Sequence, residues 1–292
     1  VGPGVIGLQS VDHVVATLIR SCGHCHFCTQ ASETQCDNNF NLDQQSPLSD
    51  KKGQTIVQGL NSGAFAEQVV VEQSQVCAIP HDIPLDVACI LACGVLTGFG
   101  AVTNTVTIKP ASTVAIIGCG GVGINSIQGA VHSGASRIIA LDLLDEKLTL
   151  AHQFGATHSV NSGRPNCVEQ VLALTDGRGV DYVFVTVGVK AAIEQSLSLL
   201  AKSGTAVIVG MPASGVLAEF DPAALAANGQ SLIGSKMGSA SVKRDIPKLA
   251  ALYQSGDLKL DELISKRYVL DEINEAIASV KRGEALRNVV IF

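Results

Sequence analysis

The fold of this chain is decided by residues 113–123, which read TVAIIGCGGVG. The β-branched and apolar run at 113–117 is typical of a buried strand, and the glycine pattern G-x-G-x-x-G follows it and leads into a helical pattern. In this context the glycines predict a dinucleotide-binding turn. Gly118 permits the tight turn, Gly120 lets a pyrophosphate approach the backbone, and Gly123 lets the helix pack closely on the strand. The phosphates then lie at the positive end of the helix.

Strands and helices alternate around this stretch. Further strands are predicted at 138–141, 158–160, 182–186, 206–209 and, as a sheet edge, 231–234, with helices at 122–133, 146–154, 167–175 and 191–200. Such alternation predicts an α/β fold in which helices cover both faces of a doubly wound parallel sheet. We therefore assign residues 95–236 to a dinucleotide-binding domain of the Rossmann type.

The two ends of the chain have a different pattern. Residues 1–94 are rich in glycine, proline and valine, and short alternating runs predict strands at 12–16 and 65–71. This part of the chain is predicted to form a β-rich domain. Residues 237–292 form the third segment, with amphipathic helices predicted at 246–255 and 273–282 and a closing strand at 289–292.

A carboxylate follows the second predicted strand of the nucleotide-binding domain. Asp142 lies 19 residues after Gly123, where it can accept hydrogen bonds from an adenosine ribose. Because a carboxylate repels a 2′-phosphate, Asp142 favours NAD(H) over NADP(H). The alternative is that Asp142 is a solvated helix cap. Lys147 follows about one helical turn later and either meets the same ribose or is solvated.

Four cysteines lie together near the start of the chain. Cys22, Cys25, Cys28 and Cys36 have the spacing C-x2-C-x2-C-x7-C and mark a lobe at residues 22–36. Four thiolates from one short loop surround a tetrahedral zinc ion and leave no open position for substrate, so the predicted zinc site is structural. An iron–sulfur cluster is the alternative, since ferredoxin-type runs begin with the same C-x2-C-x2-C. Against it, seven residues separate the last two cysteines, and Asp37 follows where those runs have proline.

Composition and charge exclude several classes of protein. Of the 292 residues, 47% are hydrophobic and 16% charged, which describes a globular chain with a substantial core. A net charge of −6 and the lack of a Lys- or Arg-rich tract argue against nucleic-acid binding. Nine cysteines without a signal peptide predict metal-bound or free thiols in a reducing compartment, hence the cytoplasm.

Two further expectations concern surfaces. The apolar segment 87–102 is shorter than the roughly 20 residues that a bilayer requires, so it is expected to be a buried helix and no membrane span is predicted. The predicted edge strand at 231–234 suggests pairing across a two-fold axis. We therefore expect a homo-oligomer, either a dimer or a tetramer.

Taken in order, these motifs resemble the NAD-linked, zinc-dependent medium-chain alcohol dehydrogenases. The cysteine lobe is similar to the family's structural-zinc lobe. Residues 92–101, ACGVLTGFGA, are similar to the segment that supplies a cysteine ligand of the catalytic zinc. Residues 209–212 look like the loop beside the nicotinamide, and residues 283–292 look like the family's C-terminus. The resemblance covers essentially the whole chain.

The resemblance implies a GroES-like catalytic domain, to which residues 237–292 return, and roles for individual residues. Cys93 is the expected catalytic-zinc ligand, and Thr97 is expected to shape the substrate pocket. The expected cofactor contacts are Gly118, Gly120, Gly121, Val122, Gly123, Asp142, Lys147, Val209, Gly210, Met211 and Arg287, with Arg287 meeting the pyrophosphate. For Cys93, Thr97 and Val122 ordinary packing is the alternative.

The implied reaction interconverts an alcohol and its aldehyde or ketone by hydride transfer to NAD, with zinc as the Lewis acid. The family takes a second cysteine and a histidine for this zinc from a segment before the counterpart of Val1, so the catalytic domain is expected to be N-terminally truncated. The alternatives are a catalytically silent NAD-binding fragment and a zinc-independent enzyme like a quinone reductase. The cysteine lobe and Asp142 count against the latter. Aliphatic, aryl and thiol-adduct alcohols all remain candidate substrates.

Overall fold

The computed structural model describes the backbone of residues 1–292 and all side chains except those of Asp43 and Gln44. The chain folds into two compact units, one formed by residues 1–96 with 240–292 and the other by residues 97–239. These limits differ by two and three residues from the breaks expected after residues 94 and 236.

The N-terminal part of the first unit contains little regular structure. Its two strands pair antiparallel with each other. The strands are β1 (Val14–Ala16) and β2 (Val76–Ala78), and the helices are α1 (His26–Thr29), α2 (Asn41–Gln44) and α3 (Leu85–Ala88). The next helix, α4 (Gly94–Gly100), begins in this unit and continues into the second. The predicted strand at 65–71 is wrong, because these residues form bends and irregular backbone. Phe65 is 67% exposed, and among the described residues no second strand lies alongside to complete a ladder.

The second unit is built on a six-stranded parallel sheet. The strands are β3 (Thr113–Ile117), β4 (Arg137–Asp142), β5 (His158–Asn161), β6 (Val180–Val185), β7 (Leu200–Ile208) and β8 (Ser231–Gly234), and their spatial order is β5-β4-β3-β6-β7-β8. Every neighbouring pair is parallel. This order confirms the predicted doubly wound fold. The strand order reverses beside β3, so a crevice is expected at the carboxyl ends of the strands there.

Helices cover both faces of this sheet. They are α5 (Gly123–His132), α6 (Asp145–Gln153), α7 (Cys167–Ala173), α8 (Lys190–Ser198) and α9 (Pro222–Ala227). All five residues of β3 are buried, because a parallel sheet covered on both faces presents neither face to water. One side of the core joins Ile117 and Leu141 to Val185 and to residues of α7 and α8. The sheet therefore forms the core of this unit.

The C-terminal segment completes the first unit. It contains α10 (Val242–Gln254), β9 (Ile264–Val269), α11 (Ile273–Lys281) and β10 (Arg287–Ile291), with β9 and β10 paired in parallel. The closing strand was predicted at 289–292, and β9 was not predicted. Three consecutive residues of β9, Ser265, Lys266 and Arg267, are exposed, so its sequence lacks the alternation that marks a half-buried strand.

The apolar segment 87–102 is mostly buried, apart from residues such as Cys89 and Cys93, but it is not the single helix that we expected. A 3₁₀ turn at Cys89–Ala92 follows α3, and the helical backbone is interrupted at Cys93, which has φ −138° and ψ −74°. The next helix, α4, then leads into a π-helical turn at Ala101–Thr105. No single helix of the described residues has the length and hydropathy to cross a bilayer, although the pair Leu85–Ala92 and Gly94–Thr105, bent by 51°, meets both criteria together.

Candidate cofactor site and metal centre

The glycine turn after β3 is held by backbone contacts. Gly118 has φ +95°, and its N–H donates to the Leu141 carbonyl oxygen at 2.7 Å. A Cβ at this position would lie 2.4 Å from Val187 Cγ1, so both conformation and packing require glycine. A Cβ on Gly123 would lie 1.7 Å from the Gly118 carbonyl oxygen. The turn and the start of α5 therefore touch backbone to backbone.

Gly120 differs from its neighbours because a Cβ there would meet nothing within 4 Å. The first bond of the helical turn runs from the Ile124 N–H to the Gly120 carbonyl oxygen at 2.9 Å. The amides of residues 121–123 precede that bond and have no acceptor within the helix. Open space beside Gly120 and free N–H groups at the positive end of α5 together suit a phosphate group.

Asp142 ends β4 beside this turn. Its Oδ2 accepts the Cys119 N–H at 2.7 Å, and its Oδ1 accepts the Leu144 N–H at 3.1 Å. Burial raises the pKa of the Cys119 thiol to about 12, and the Asp142 charge adds to this shift. The two backbone amides fix the orientation of the carboxylate, which remains half exposed. Asp142 is thus held in place to accept hydrogen bonds from a ligand.

A cavity of about 590 Å³ opens at this edge of the sheet. Its walls are mainly apolar, and Asp142 and Lys147 both line it. The lining residues are Ile117, Gly118, Asp142, Leu143, Leu144, Lys147, Ser162, Val187, Val189, Ala191, Ala192 and Gln195. An apolar cavity with few charged groups suits a flat base attached to a sugar. The residues present therefore fit the adenosine part of a dinucleotide.

The loop after β7 reaches the same edge. The N–H groups of Val209 and Gly210 both donate to the Val185 carbonyl oxygen at 2.9 Å. A Cβ on Gly210 would lie 2.4 Å from the backbone carbon of Val187, and Met211 is 84% exposed. The loops after β6 and β7 therefore pack together, which places 209–211 in the same unit as the glycine turn.

Thr97 and Val122 also belong to this unit. Thr97 is 8% exposed, and its hydroxyl donates to Met237 Sδ at 3.5 Å. A Cβ on Gly98 would lie 2.1 Å from the Val122 carbonyl oxygen, so α4 packs closely on the turn that begins α5. Both residues have packing contacts of their own.

Cys93 and Arg287 lie in the other unit. The Cys93 thiol is exposed and free of disulfides. The Arg287 guanidinium lies directly over Gly94, since a Cβ on Gly94 would be 1.8 Å from Arg287 Nη2, and its Nη1 donates to the Leu286 carbonyl oxygen at 2.9 Å. Burial lowers the pKa of Arg287, and the neighbouring Cys93 opposes this shift.

The described residues do not form a catalytic metal site around Cys93. Such a zinc site needs three protein ligands. Among the side chains described, the only group of three or more potential metal ligands is the four-cysteine cluster, which does not include Cys93. Cys93 is therefore at most one member of a ligand set.

The four cysteines of the zinc lobe, residues 22–36, meet the requirements of a metal site. All four sulfurs lie within 4.8 Å of one another, with Cys22 and Cys28 separated by 4.0 Å and Cys25 and Cys36 by 3.9 Å. Sulfurs at about 2.3 Å from a tetrahedral zinc ion are about 3.8 Å apart, whereas a disulfide needs about 2.05 Å. The spacing fits zinc and excludes these disulfides.

Backbone amides support negative charge on this cluster. The N–H of Cys25 donates to Cys22 Sγ at 3.3 Å, and the N–H of Cys28 donates to Cys25 Sγ at 3.5 Å. The backbone N–H of His24 lowers the pKa of Cys22 to about 6, while burial raises the pKa of Cys28 to about 12. A bound metal ion stabilises all four thiolates and overcomes the second effect.

Comparison with known proteins places this arrangement in a family. Residues 121–255 match the family model described as zinc-binding dehydrogenase, and residues 1–81 match the alcohol dehydrogenase GroES-like domain. The probable S-(hydroxymethyl)glutathione dehydrogenase 1 of Schizosaccharomyces pombe is 34% identical over 99% of this chain and 78% of its own length. The chain belongs to the zinc-binding alcohol dehydrogenase family.

Other proteins similar to this zinc-binding dehydrogenase are also alcohol dehydrogenases. The NDMA-dependent alcohol dehydrogenase of Amycolatopsis methanolica is 33% identical, over 100% of this chain and 80% of its own length. The crystal structure of benzyl alcohol dehydrogenase from Acinetobacter calcoaceticus has a TM-score of 0.90 and 32% identity, and the match covers 99% of this chain and 80% of that one. The predicted family, the Rossmann-type and GroES-like fold classes, and the cofactors zinc and NAD are confirmed.

Three residues of the dehydrogenase's cavity were not predicted from the sequence. Leu143 follows β4, and Val187 and Val189 follow β6, and all three line the cavity wall. The signal available was their position just after strands that flank β3 in a doubly wound sheet. Using it required the strand order, which the chain sequence does not state.

Proposed function

We propose that this protein oxidises an alcohol to an aldehyde or ketone, and catalyses the reverse reaction, by hydride transfer between the substrate carbon and NAD. The observation that best supports this proposal is the cavity at the carboxyl edge of the sheet, where the glycine turn contacts Asp142. In the forward direction the alcohol loses a hydride and a proton, giving the carbonyl product and NADH.

Different residues of the nucleotide-binding unit bind different parts of the cofactor. The amides of residues 121–123 bind the pyrophosphate, and the space beside Gly120 admits it. Asp142 accepts hydrogen bonds from the ribose and disfavours a 2′-phosphate, so we propose NAD(H) as the cofactor. When bound, the nicotinamide supplies the hydride chemistry, while the protein supplies orientation. Val209, Gly210 and Met211 are the proposed loop beside the nicotinamide.

The remaining site residues are proposed on the family resemblance and the placement described above. Cys22, Cys25, Cys28 and Cys36 hold a structural zinc ion that fastens the lobe. Cys93 contributes one thiolate to a catalytic metal, Thr97 shapes the substrate pocket, and Arg287 contacts the cofactor. The proposed substrate is a primary or secondary alcohol of the aliphatic, aryl or thiol-adduct class, and relatives are named for benzyl alcohol and for S-(hydroxymethyl)glutathione.

We also propose that the protein is a cytoplasmic homo-oligomer. Strand β8 pairs with β7 on one side and leaves its other edge without a partner among the described strands. Pairing of two such edges across a two-fold axis would satisfy the open backbone groups. Nine cysteines without a disulfide suit a reducing compartment. Light scattering tests the first statement, since a monomeric mass at micromolar concentration would contradict it.

The test of function is turnover on a panel of alcohols with NAD, followed as NADH formation, together with NADH binding by calorimetry. We expect turnover on at least one aliphatic, aryl or thiol-adduct alcohol, and weaker activity with NADP. Tight NADH binding with no turnover on any alcohol would instead favour a silent NAD-binding protein. NADPH-dependent quinone reduction without alcohol oxidation would favour the hypothesis of a zinc-independent enzyme like a quinone reductase.

A further inference from the structure

The start of helix α10 contacts the zinc lobe through a polar group. Glu33 begins the short 3₁₀ turn Glu33–Gln35, which leads directly to Cys36. Its Oε1 accepts a hydrogen bond from the Ser241 hydroxyl at 2.8 Å. Ser241 is only 6% exposed and Glu33 is half-buried, so this bond is partly buried. Residues 208 positions apart in sequence are joined here within one unit.

Ser241 is not used as a helix cap of the ordinary kind. A serine before a helix commonly accepts hydrogen bonds from the first amides of that helix. Ser241 precedes α10, yet its side chain makes no capping bond to that helix. Its hydroxyl proton is given to Glu33 instead. The Ser241 side chain therefore contacts the metal-binding lobe and does not cap its own helix.

A second carboxylate holds Ser241 in place. The buried side chain of Asp245 accepts the Ser241 N–H through Oδ2 at 2.8 Å. Arg244 binds both Asp245 oxygens, with Nε 2.8 Å from Oδ1 and Nη2 2.9 Å from Oδ2. The hydrogen bond to Asp245 raises the pKa of Arg244, and the charges of Asp245 and Glu33 add to this shift. Glu33 therefore meets the hydroxyl of a serine whose backbone is held by Asp245.

The body of α10 packs on two other parts of the same unit. It contacts β2, where the Lys243 ammonium donates to the Val76 carbonyl oxygen, and it contacts the turn Cys89–Ala92 that ends immediately before Cys93. The zinc lobe, the start of α10 and the turn before Cys93 are thus a continuous set of packed elements.

We propose that Glu33 and Ser241, called here the lobe anchor, position the zinc lobe on α10 and slow the loss of its metal ion. Glu33 is a positioning residue, since it contacts neither metal nor substrate. Opening the lobe far enough to release zinc must break the Glu33–Ser241 bond as well as the metal–sulfur bonds. In return, a metal-loaded lobe keeps the first turn of α10 ordered.

The test measures zinc release to a chromophoric chelator from the purified, zinc-loaded protein. We expect Glu33→Ala and Ser241→Ala each to release zinc about tenfold faster than wild type, because each breaks a partly buried hydrogen bond to a charged group. The double variant should be no faster than either single variant, since both remove the same bond. Glu33→Gln keeps an acceptor for the Ser241 hydroxyl, so its zinc release rate should lie between those of wild type and Glu33→Ala.

Asp37→Asn is the matched control. Asp37 follows Cys36, is exposed, and has no hydrogen bond or ion pair among the described side chains, so this variant removes the same charge close to the metal without touching the anchor. Its release rate should stay within about twofold of wild type. Hydrogen exchange at residues 242–246 provides a readout independent of the metal assay and should increase in Glu33→Ala and Ser241→Ala.

Several results would overturn the inference. Unchanged release rates in both alanine variants, additive effects in the double variant, or an equal effect of Asp37→Asn would each contradict it. Ser241→Ala serves if Glu33→Ala does not fold, because it changes the partner outside the lobe. Wild-type protein without bound metal would overturn both this inference and the zinc assignment, whereas equal rates with metal bound would overturn the inference alone.

Discussion

Replacing two glycines of the same turn with alanine should separate cofactor binding from folding. A Cβ on Gly120 would meet nothing within 4 Å, and its backbone does not need a positive φ. A Cβ on Gly123 would lie 1.7 Å from the carbonyl oxygen of Gly118 and 2.9 Å from the Thr186 hydroxyl. The two substitutions add the same methyl group three residues apart, so each controls for the other.

The expected magnitudes follow from these distances. In Gly120→Ala the methyl group takes the space that a pyrophosphate needs to reach the amides of α5. Losing a charge-assisted hydrogen bond costs about 2 kcal/mol, so Kd for NADH should rise about thirtyfold while thermal stability stays at or above the wild-type value. In Gly123→Ala backbone must move by more than an ångström, which should cost about 3 kcal/mol and lower Tm by about 10 °C.

The assays are calorimetric titration with NADH and thermal unfolding of the same preparations. A Gly120→Ala protein that binds NADH as tightly as wild type, or a Gly123→Ala protein of unchanged Tm, would refute these two expectations. A Gly120→Ala protein that unfolds early would also contradict them, because the structure leaves room for the methyl group.

Three further predictions concern other groups. Asp142→Ala should weaken NADH binding about tenfold and reduce the preference for NADH over NADPH, and calorimetry showing an unchanged preference would contradict the role of this carboxylate. The Arg178 guanidinium, 2.6 Å from Asp181, and the Thr113 N–H lower the pKa of Asp181. The ionised Asp181 therefore stabilises the folded state fully above the ordinary carboxyl pKa. This contribution to the free energy of unfolding is lost as pH falls through the depressed folded-state pKa. Asp181→Asn should therefore cost about 0.5 kcal/mol at neutral pH and nothing in strong acid, whereas a cost independent of pH would refute this assignment. Cys25→Ser should abolish tight zinc binding in the lobe and lower Tm, as measured by metal analysis and calorimetry, and retention of the zinc would count against the four-sulfur site.

Local patterns in the sequence predicted the nucleotide-binding unit well. The glycine turn, β3 and α5 follow from consecutive residues, and the spacing from Gly123 located Asp142 at the end of β4. The cysteine lobe was equally predictable because all four ligands come from one short segment, and their sulfurs do meet.

Elements that depend on distant partners were less predictable. Residues 65–71 have the alternation of a strand, but a strand forms only where a second one lies alongside. β9 shows the reverse case: its exposed residues Ser265, Lys266 and Arg267 hide it in the sequence, yet β10 pairs with it. The break at Cys93 and the contact between Glu33 and Ser241 likewise depend on packing between segments that are far apart in the chain.

The most direct test of the account is a crystal structure of the protein with NADH, with diffraction data also collected at the zinc absorption edge. We expect one anomalous peak bonded to the four cysteines of the lobe, the pyrophosphate beside Gly120, and the adenosine ribose hydrogen-bonded to Asp142. A lobe without zinc, or a nucleotide bound away from the glycine turn, would contradict the assignment of this chain as an NAD-linked zinc dehydrogenase.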